Sequence, residues 1–369
     1  PTDILAEQHF LKISKRLESM EIPVYLLRGK TRKKERKVIE AALIGEEPLI
    51  LIGTHAVIQD PIKMTKLGMA IIDEQHRFGV MQRMALSKKD EFCHCLYMTA
   101  TPIPRSLLLS CFGDLDKSII SEMPPGRVPS KTYFLRESKL EQVYKFCLNQ
   151  IEKGRQVFVV YPLVEDSEKL DLKSATEGFE QLSALFSMAK VGLIHGKMKQ
   201  LEKSEIMQNF KKNDIQILVS TTVIEVGIDV PNSTIMIIRH AERFGLSQLH
   251  QLRGRIGRGG NESHCFLIAE PTSENANLRI KAMLDTNDGF KLAEVDMKIR
   301  GPGDILGTRQ SGLPEFKVAS LINDEHLLKT AKEAVSSIFK DDPKLQKPEN
   351  VFLRESLNQK YHLILSNLS

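Results

Sequence analysis

Short, nearly unbroken apolar runs alternate along this chain with longer stretches in which apolar residues recur every three or four positions. The runs PLILIG (48–53), GMAIID (68–73) and HCLYMTA (94–100) form a first set. RQVFVVYPL (155–163), VGLIHG (191–196), IQILVST (215–221) and STIMIIRHA (233–241) form a second. Runs this rich in Val, Ile, Leu and Met predict strands buried on both faces of a parallel sheet. The helical period appears in 5–19, through Leu5, His9, Leu11, Ile13 and Leu17, and in 201–212, through Leu201, Ile206, Met207 and Phe210. It appears again in 138–153, where Ser138 is the expected cap and Gly154 the expected stop. Strand, helix and strand in series predict an α/β, doubly wound architecture.

MPPGRVPS (123–130) holds three prolines and a glycine and reads as an interdomain linker. Beyond about residue 275 the strand pattern fades into ENANLRIKAML and EHLLKTAKEAVSSIF, two helical segments flanking a glycine-rich turn region. The expected domains are therefore 1–125, 126–275 and 276–369.

Composition narrows this picture only modestly. The 369 residues are 41% apolar and 27% charged, which excludes a disordered or fibrous chain. No apolar stretch approaches the 18 or so residues of a membrane span. The net charge of +5 permits a polyanionic partner without requiring one. Five cysteines, an odd number, fit a reduced cytoplasmic protein, and Cys93-His94-Cys95 lacks the second ligand pair of a zinc site. The basic run 29–37 contains Gly-Lys-Thr, but Val24 stands where a phosphate loop needs its first Gly, so it reads as a solvated helix start.

Chemistry concentrates in a few segments. Asp73 and Glu74 directly follow an apolar run, at the strand end that faces the ligand crevice of an open α/β sheet. Adjacent acids there suit two tasks, Asp73 holding Mg2+ through water and Glu74 deprotonating an attacking water; a charged loop is the plain alternative. In 251–258, Gln-Leu-Arg-Gly-Arg-Ile-Gly-Arg, a continuous helix would align Gln251, Arg255 and Arg258 on one face, suited to a triphosphate or to nucleic acid. The hydroxyls of Thr221 and Thr222 close a strand and suit either a sugar-phosphate backbone or a local cap. Thr99-Ala100-Thr101-Pro102 is either a link between two sites or a simple turn.

In this order and spacing the segments resemble a superfamily 2 helicase motor. DEQH resembles motif II, TAT motif III, STTVIEVGIDVPN motif V and QLRGRIGR motif VI; PTDILAEQHF and Gly53-Thr54-His55 resemble motifs Ia and Ib. The longer strings DEQHRFGV, MTATPIPRSL, AERFGLSQLHQLRGRIGRG and RGPGDILGTRQSGLPEF resemble the RecG family of branched-DNA helicases. The resemblance implies two RecA-like parallel-sheet domains, the first incomplete at its N-terminus, and a C-terminal helical hairpin. It implies catalysis by Asp73, Glu74, Arg255 and Arg258, with Asp73 on Mg2+. Nucleotide contacts fall to Gln251, Asp229 and Gly227, and DNA contacts to Thr54, His55, Thr221 and Thr222. Coupling falls to His76, Thr99, Thr101, Arg300, Arg309 and Gln310.

The implied activity is an ATP- and Mg2+-dependent translocase on branched double-stranded DNA, such as stalled forks and Holliday junctions, in repair and recombination. The implied protein is monomeric, cytoplasmic and without a membrane partner. Such motors carry a glycine-rich phosphate loop before motif Ia, where this sequence begins. The 369 residues are therefore expected to hold half an ATP site, to leave sheet edges open and not to turn over ATP alone. The alternatives are a transcription-repair coupling translocase, whose related segment lacks the Thr308-Arg309 pair, and a non-catalytic nucleic-acid-binding module on a motor scaffold.

Overall fold

The computed structural model describes residues 2–58, 62, 64, 66–74, 93–100, 116–120, 122–162, 168–221, 230–301 and 324–366. Two compact units emerge. Described parts of 1–100, 126–241 and 251–270 form one, and those of 101–125, 242–250 and 271–369 the other.

In the first unit, α1 (Asp3–Leu17) precedes β1 (Val24–Leu27), α2 (Lys33–Ile44), β2 (Ile50–Gly53), β3 (Met69–Ile72) and β4 (His94–Tyr97). Helix α1 starts because Thr2 Oγ1 accepts the Leu5 N–H, with Asp3 in the first turn and Lys15 and Arg16 in the last. Strands β1 and β2 pair in parallel, as do β3 and β4. A small core of Leu27, Ile39, Ala56 and Ile62 sits under the first pair. These strands are not buried on both faces as expected. In β3, Ala70 and Ile72 are buried, while Met69 and Ile71 are more than half exposed. In β4, His94 and Leu96 face outward, so Cys95 occupies a half-buried strand rather than a core one. Among the described residues each strand of these pairs has one strand neighbour, so its other edge has none.

The larger sheet contains β5 (Lys131–Leu135), β6 (Gln156–Val160), β7 (Val191–Ile194), β8 (Ile217–Ser220), β9 (Ser233–Ile238) and β10 (His264–Ile268). Their spatial order is β5-β10-β9-β6-β8-β7, and every pairing is parallel. Helices α3 (Leu140–Glu152), α4 (Glu168–Leu185), α5 (Gln200–Lys211) and α6 (Leu246–Arg253) make the crossovers. This is the expected doubly wound form. The alternation within β6 shows why both faces are apolar. Val157 and Val159 pack with Val143 and Cys147 of α3 and Leu182 of α4, while the Phe158 ring lies 4.9 Å from that of Phe210 in α5. Strands β6, β8 and β9 are buried at every residue.

Some local expectations needed revision. Ser138 lies in a short 3-10 turn (Glu137–Lys139), so α3 begins without a side-chain cap. Gly154 does stop it, at φ +77°. In α5, Met207 and Phe210 are buried but Leu201 is 85% exposed. In α1, His9 and Leu11 do not join the apolar face; Leu11 is 61% exposed and His9 is engaged in a polar contact described below. The linker 123–130 has no regular structure, and α2 does begin within the basic run.

In the second unit, α7 (Glu274–Asp285) packs on α8 (Gly289–Arg300), each started by its own cap, Ser273 and Asp288. Helix α9 (Glu325–Asp341) is followed by α10 (Val351–Ser366). Asp342 organises the junction between them. Its carboxylate accepts the Gln346 N–H at 2.9 Å, the Lys347 N–H at 2.8 Å and the Asn350 side-chain N–H at 2.9 Å. These bonds, that from Asn350 foremost, push its pKa down to about 2. A carboxyl depressed in the folded state stabilises the junction above its unfolded pKa of roughly 4 and loses that contribution as pH falls through the folded value. An NMR titration of the Gln346 and Lys347 amides is expected to report a midpoint near 2; a midpoint near 4 would show the carboxylate to be unengaged.

Candidate functional site

Asp73 and Glu74 emerge at the carboxyl end of β3, the edge where open parallel sheets bind ligands. The Asp73 carboxylate is held at both oxygens. His9 Nε2, from α1, donates to Oδ2 at 3.2 Å, and the Glu74 backbone N–H donates to Oδ1 at 2.9 Å. The His9 bond, supported by the Glu74 amide, lowers the Asp73 pKa against the opposing effect of burial, so the carboxylate is ionised at neutral pH. Glu74 sits at φ +56°, in the left-handed region that non-glycine residues rarely adopt, and is buried. Such strain persists only where surroundings impose it, and it turns the Glu74 side chain off the strand direction.

The second group lies around the end of α6. That helix stops at Arg253, so 251–258 is not one helix and the expected common face does not form. Gln251 is helical and half-buried, Arg255 is buried in the turn beyond, and Arg258 is exposed. Two glycines shape the turn that follows. Gly257 adopts φ +74°, and a Cβ there would lie 2.5 Å from Ser263 Oγ; a Cβ on Gly259 would meet the Pro231 carbonyl at 2.5 Å. The turn is pinned on several sides. The Gly254 carbonyl accepts from Arg127 Nη2 at 3.0 Å and from Arg258 Nε at 3.3 Å. Arg155 reaches Asn232 at 3.3 Å and Asn261 at 3.0 Å, and Ser130 pairs with Ser263 at 2.8 Å. Arg253 turns inward, its Nη1 3.3 Å from Thr132 Oγ1, and burial lowers its pKa.

A third group lines the carboxyl ends of β7 and β8. Thr221 donates its N–H to the Ile194 carbonyl at 3.2 Å, which sets it beside His195. The Thr221 and Ser220 hydroxyls are fully buried without hydrogen-bond partners among the described residues, as is His195 Nδ1. Burial and the neighbouring Lys203 and Lys197 depress the His195 pKa. Lys203 Nζ donates to the Gly196 carbonyl at 2.7 Å, and Lys197 and Lys199 are exposed. Thr54 and His55 follow β2 at half-buried positions; Thr54 N–H bonds the Leu27 carbonyl at 3.3 Å. Thr99 is exposed just past β4. His76, Thr101, Thr222, Gly227, Asp229, Arg309 and Gln310 lie outside the described residues.

Arg300 closes α8. Its Nε bonds Asp296 at 3.1 Å, and its guanidinium lies against Gly245, where a Cβ would have to displace it. Arg279 of α7 donates to the carbonyls of Phe244, at 2.8 Å, and Glu242, at 3.2 Å. Both arginines thus grip the turn that leads into α6. His9, His195, Arg253 and Arg279 were not foreseen as site residues. Arg253 stood in the string that resembles motif VI, His9 in the one that resembles motif Ia and His195 at the end of the apolar run 191–196, but nothing in the local sequence marks Arg279.

Residues 1–108 match the DEAD/DEAH box helicase family, 138–260 the helicase conserved C-terminal domain, and 286–364 the ATP-dependent DNA helicase RecG, domain 3, C-terminal family. A Streptococcus pneumoniae protein named ATP-dependent DNA helicase RecG is 49% identical over 98% of this chain and 54% of its own length. Bacillus subtilis and Synechocystis proteins of the same name are each 46% identical, over 97% and 99% of this chain and 52% and 44% of theirs. The chain belongs to the RecG family. It spans about half the length of the curated RecG relatives it matches. A solved structure described as RecG bound to a three-way DNA junction is 45% identical, with a TM-score of 0.67, over 89% of this chain and 42% of that one. Yeast Dbp5 bound to RNA and ADP BeF3, at 13% identity and a TM-score of 0.55 over 91% of this chain and 80% of that one, shares the fold alone. No described helix is long and apolar enough to cross a membrane.

Replacing Arg279 by Ala strips two carbonyls of a charged donor. The expected cost is about 1–3 kcal/mol, read by urea denaturation, with amide exchange rising in 242–250 before the rest of the chain. Unchanged exchange there would mean that the grip contributes nothing.

Proposed function

We propose that this chain is the motor portion of an ATP-dependent DNA helicase that translocates on branched double-stranded DNA in repair and recombination. The observation that carries this reading is the adjacent acid pair at the end of β3, one carboxylate held ionised and the other turned inward by a left-handed backbone, in a chain 43–49% identical to proteins named as such helicases. Residues 1–125 and 126–275 would be the two motor domains, and 276–369 the region that engages translocation.

The donor set fits a hard divalent cation. An ionised carboxylate with lone pairs left over at each oxygen is the ligand Mg2+ accepts, directly or through water. Asp73 would hold Mg2+, and the ion would supply charge neutralisation for the phosphates of ATP. Glu74 orients the attacking water and takes its proton. Arg255 and Arg258 meet charge that develops on the transferred phosphoryl group, where a rigid guanidinium fork matches phosphate oxygens better than an ammonium would. The pinned turn 254–263 holds them without reorganisation. Gln251 contacts the nucleotide from α6, and Asp229 and Gly227 complete that side.

DNA is met through its backbone, by Thr54 and His55 after β2 and by the strand ends at Thr221 and Thr222. Because Thr221 is enclosed, the exposed Lys197 and Lys199 make the first electrostatic contact at that edge. Binding of this kind is salt-dependent and indifferent to sequence. His76, Thr99 and Thr101 link hydrolysis to the DNA track. Arg300 lies against the turn before α6, and Arg300, Arg309 and Gln310 pass domain closure to the duplex.

The test is ATP hydrolysis with forked DNA, by the 369 residues and by the longest reading frame that encodes them, each beside Arg255→Ala. The longer product is expected to hydrolyse ATP in a fork-stimulated manner, and Arg255→Ala to lower the rate by roughly 10³-fold or more, as loss of an arginine finger does. Fork-stimulated hydrolysis indifferent to Arg255→Ala would remove that residue from the catalytic set. No hydrolysis by either product would favour a binding module.

A further inference from the structure

His9 is an ordinary-looking residue on α1, yet its imidazole reaches across 64 positions of sequence to the Asp73 carboxylate. Helix α1 packs on β1 and β2, whereas Asp73 follows β3, which pairs with β4. The bond therefore joins two separately hydrogen-bonded pieces of sheet. We propose that His9 is a positioning residue, which fixes the plane of the Asp73 carboxylate and, through it, the aim of Glu74. This rests on the roles proposed above for the two acids.

Three observations support it. A carboxylate is an acceptor at both oxygens, so His9 must present Nε2–H to Oδ2, while Oδ1 takes the Glu74 N–H. Two donors on different oxygens, one from a helix and one from the following peptide, stop rotation of the carboxyl group about its final bond. The Glu74 amide that makes the second contact belongs to a residue at φ +56°, so releasing the carboxylate releases the bond that accompanies the left-handed backbone. Finally, the His9 side chain is 41% exposed and that of Asp73 33%, so neither is needed to fill the core. Removing the imidazole should disturb geometry before it disturbs folding. Outer hydrogen-bond partners of a metal-binding carboxylate or histidine commonly govern affinity or activity by 10- to 100-fold.

The experiment uses the product of the longest reading frame that encodes these residues, loaded with a non-hydrolysable ATP analogue. Mn2+ binding is followed by electron paramagnetic resonance, and folding by thermal melting. His9→Ala is expected to weaken Mn2+ binding by 10-fold or more with little change in melting temperature. His9→Gln, whose amide can donate in the same direction, should restore most of the affinity. In hydrolysis assays the Mg2+ needed for half-maximal rate should rise by a similar factor while KM for ATP at saturating Mg2+ holds steady. Unchanged Mn2+ affinity in His9→Ala, with affinity abolished in Asp73→Asn, overturns the positioning role alone. Unchanged affinity in Asp73→Asn instead overturns the assignment of the acid pair. If His9→Ala melts early, His9→Gln decides: a stable Gln variant with weakened Mn2+ binding that does not recover removes the directional hydrogen bond from the account.

Discussion

A parallel sheet buried on both faces has nowhere to put a polar group except at its strand ends, and that constraint governs this protein. In β6, β8 and β9 every residue is enclosed, so each strand is committed to packing along its whole length. Polar chemistry in this sheet is displaced to the residues just beyond, His195 after β7 and Thr221 after β8; Asp73 and Glu74 also follow a strand end, that of β3, whose outer face is open. Because all strands of the six-stranded sheet point the same way, His195 and Thr221, far apart in sequence, meet along one edge of it.

The second requirement is rigidity in chain that has no regular hydrogen bonding of its own. The turn carrying Arg255 and Arg258 obtains it from glycines and from borrowed donors. Gly257 and Gly259 let the backbone pass where a side chain would collide, Arg127 donates to the Gly254 carbonyl that a continuing helix would have satisfied, and Arg155 ties the turn through the side-chain oxygens of Asn232 and Asn261. A continuous helix would have aligned the two arginines on one face, exposing both alike. The turn instead buries Arg255 and leaves Arg258 at the surface, so the two guanidiniums approach phosphate from different environments.

How much of this could be read in advance follows from where the signals lie. The central strands were legible because burial on two faces leaves unbroken apolar runs. Strands β5 and β10 were not: KTYFL is an edge strand with no fully buried residue, and HCFLI opens with a half-buried His. Helix α4 went unnoticed because its period is diluted by Lys, Thr and Gly. The acid pair was legible because its position after an apolar run carries mechanical meaning. The break after Arg253 falls in a segment with glycines at 254 and 257, and the second of them passes close to Ser263.

The contacts that escaped sequence reasoning share a physical cause. His9 and Arg279 act over long separations, and what each of them meets is generic: a carboxylate with a free lone pair, or two backbone carbonyls. A carbonyl presents the same acceptor whatever side chain it carries, so the segment 242–245 has no composition that advertises a partner. The donor side is equally quiet, since an Arg on the outward face of an amphipathic helix is spaced like any solvated residue. Specificity resides in the path of the two backbones, which the packing of α7 beside α8 determines. An interaction whose acceptor is backbone and whose donor is a surface-type side chain becomes visible only once the fold has brought them together.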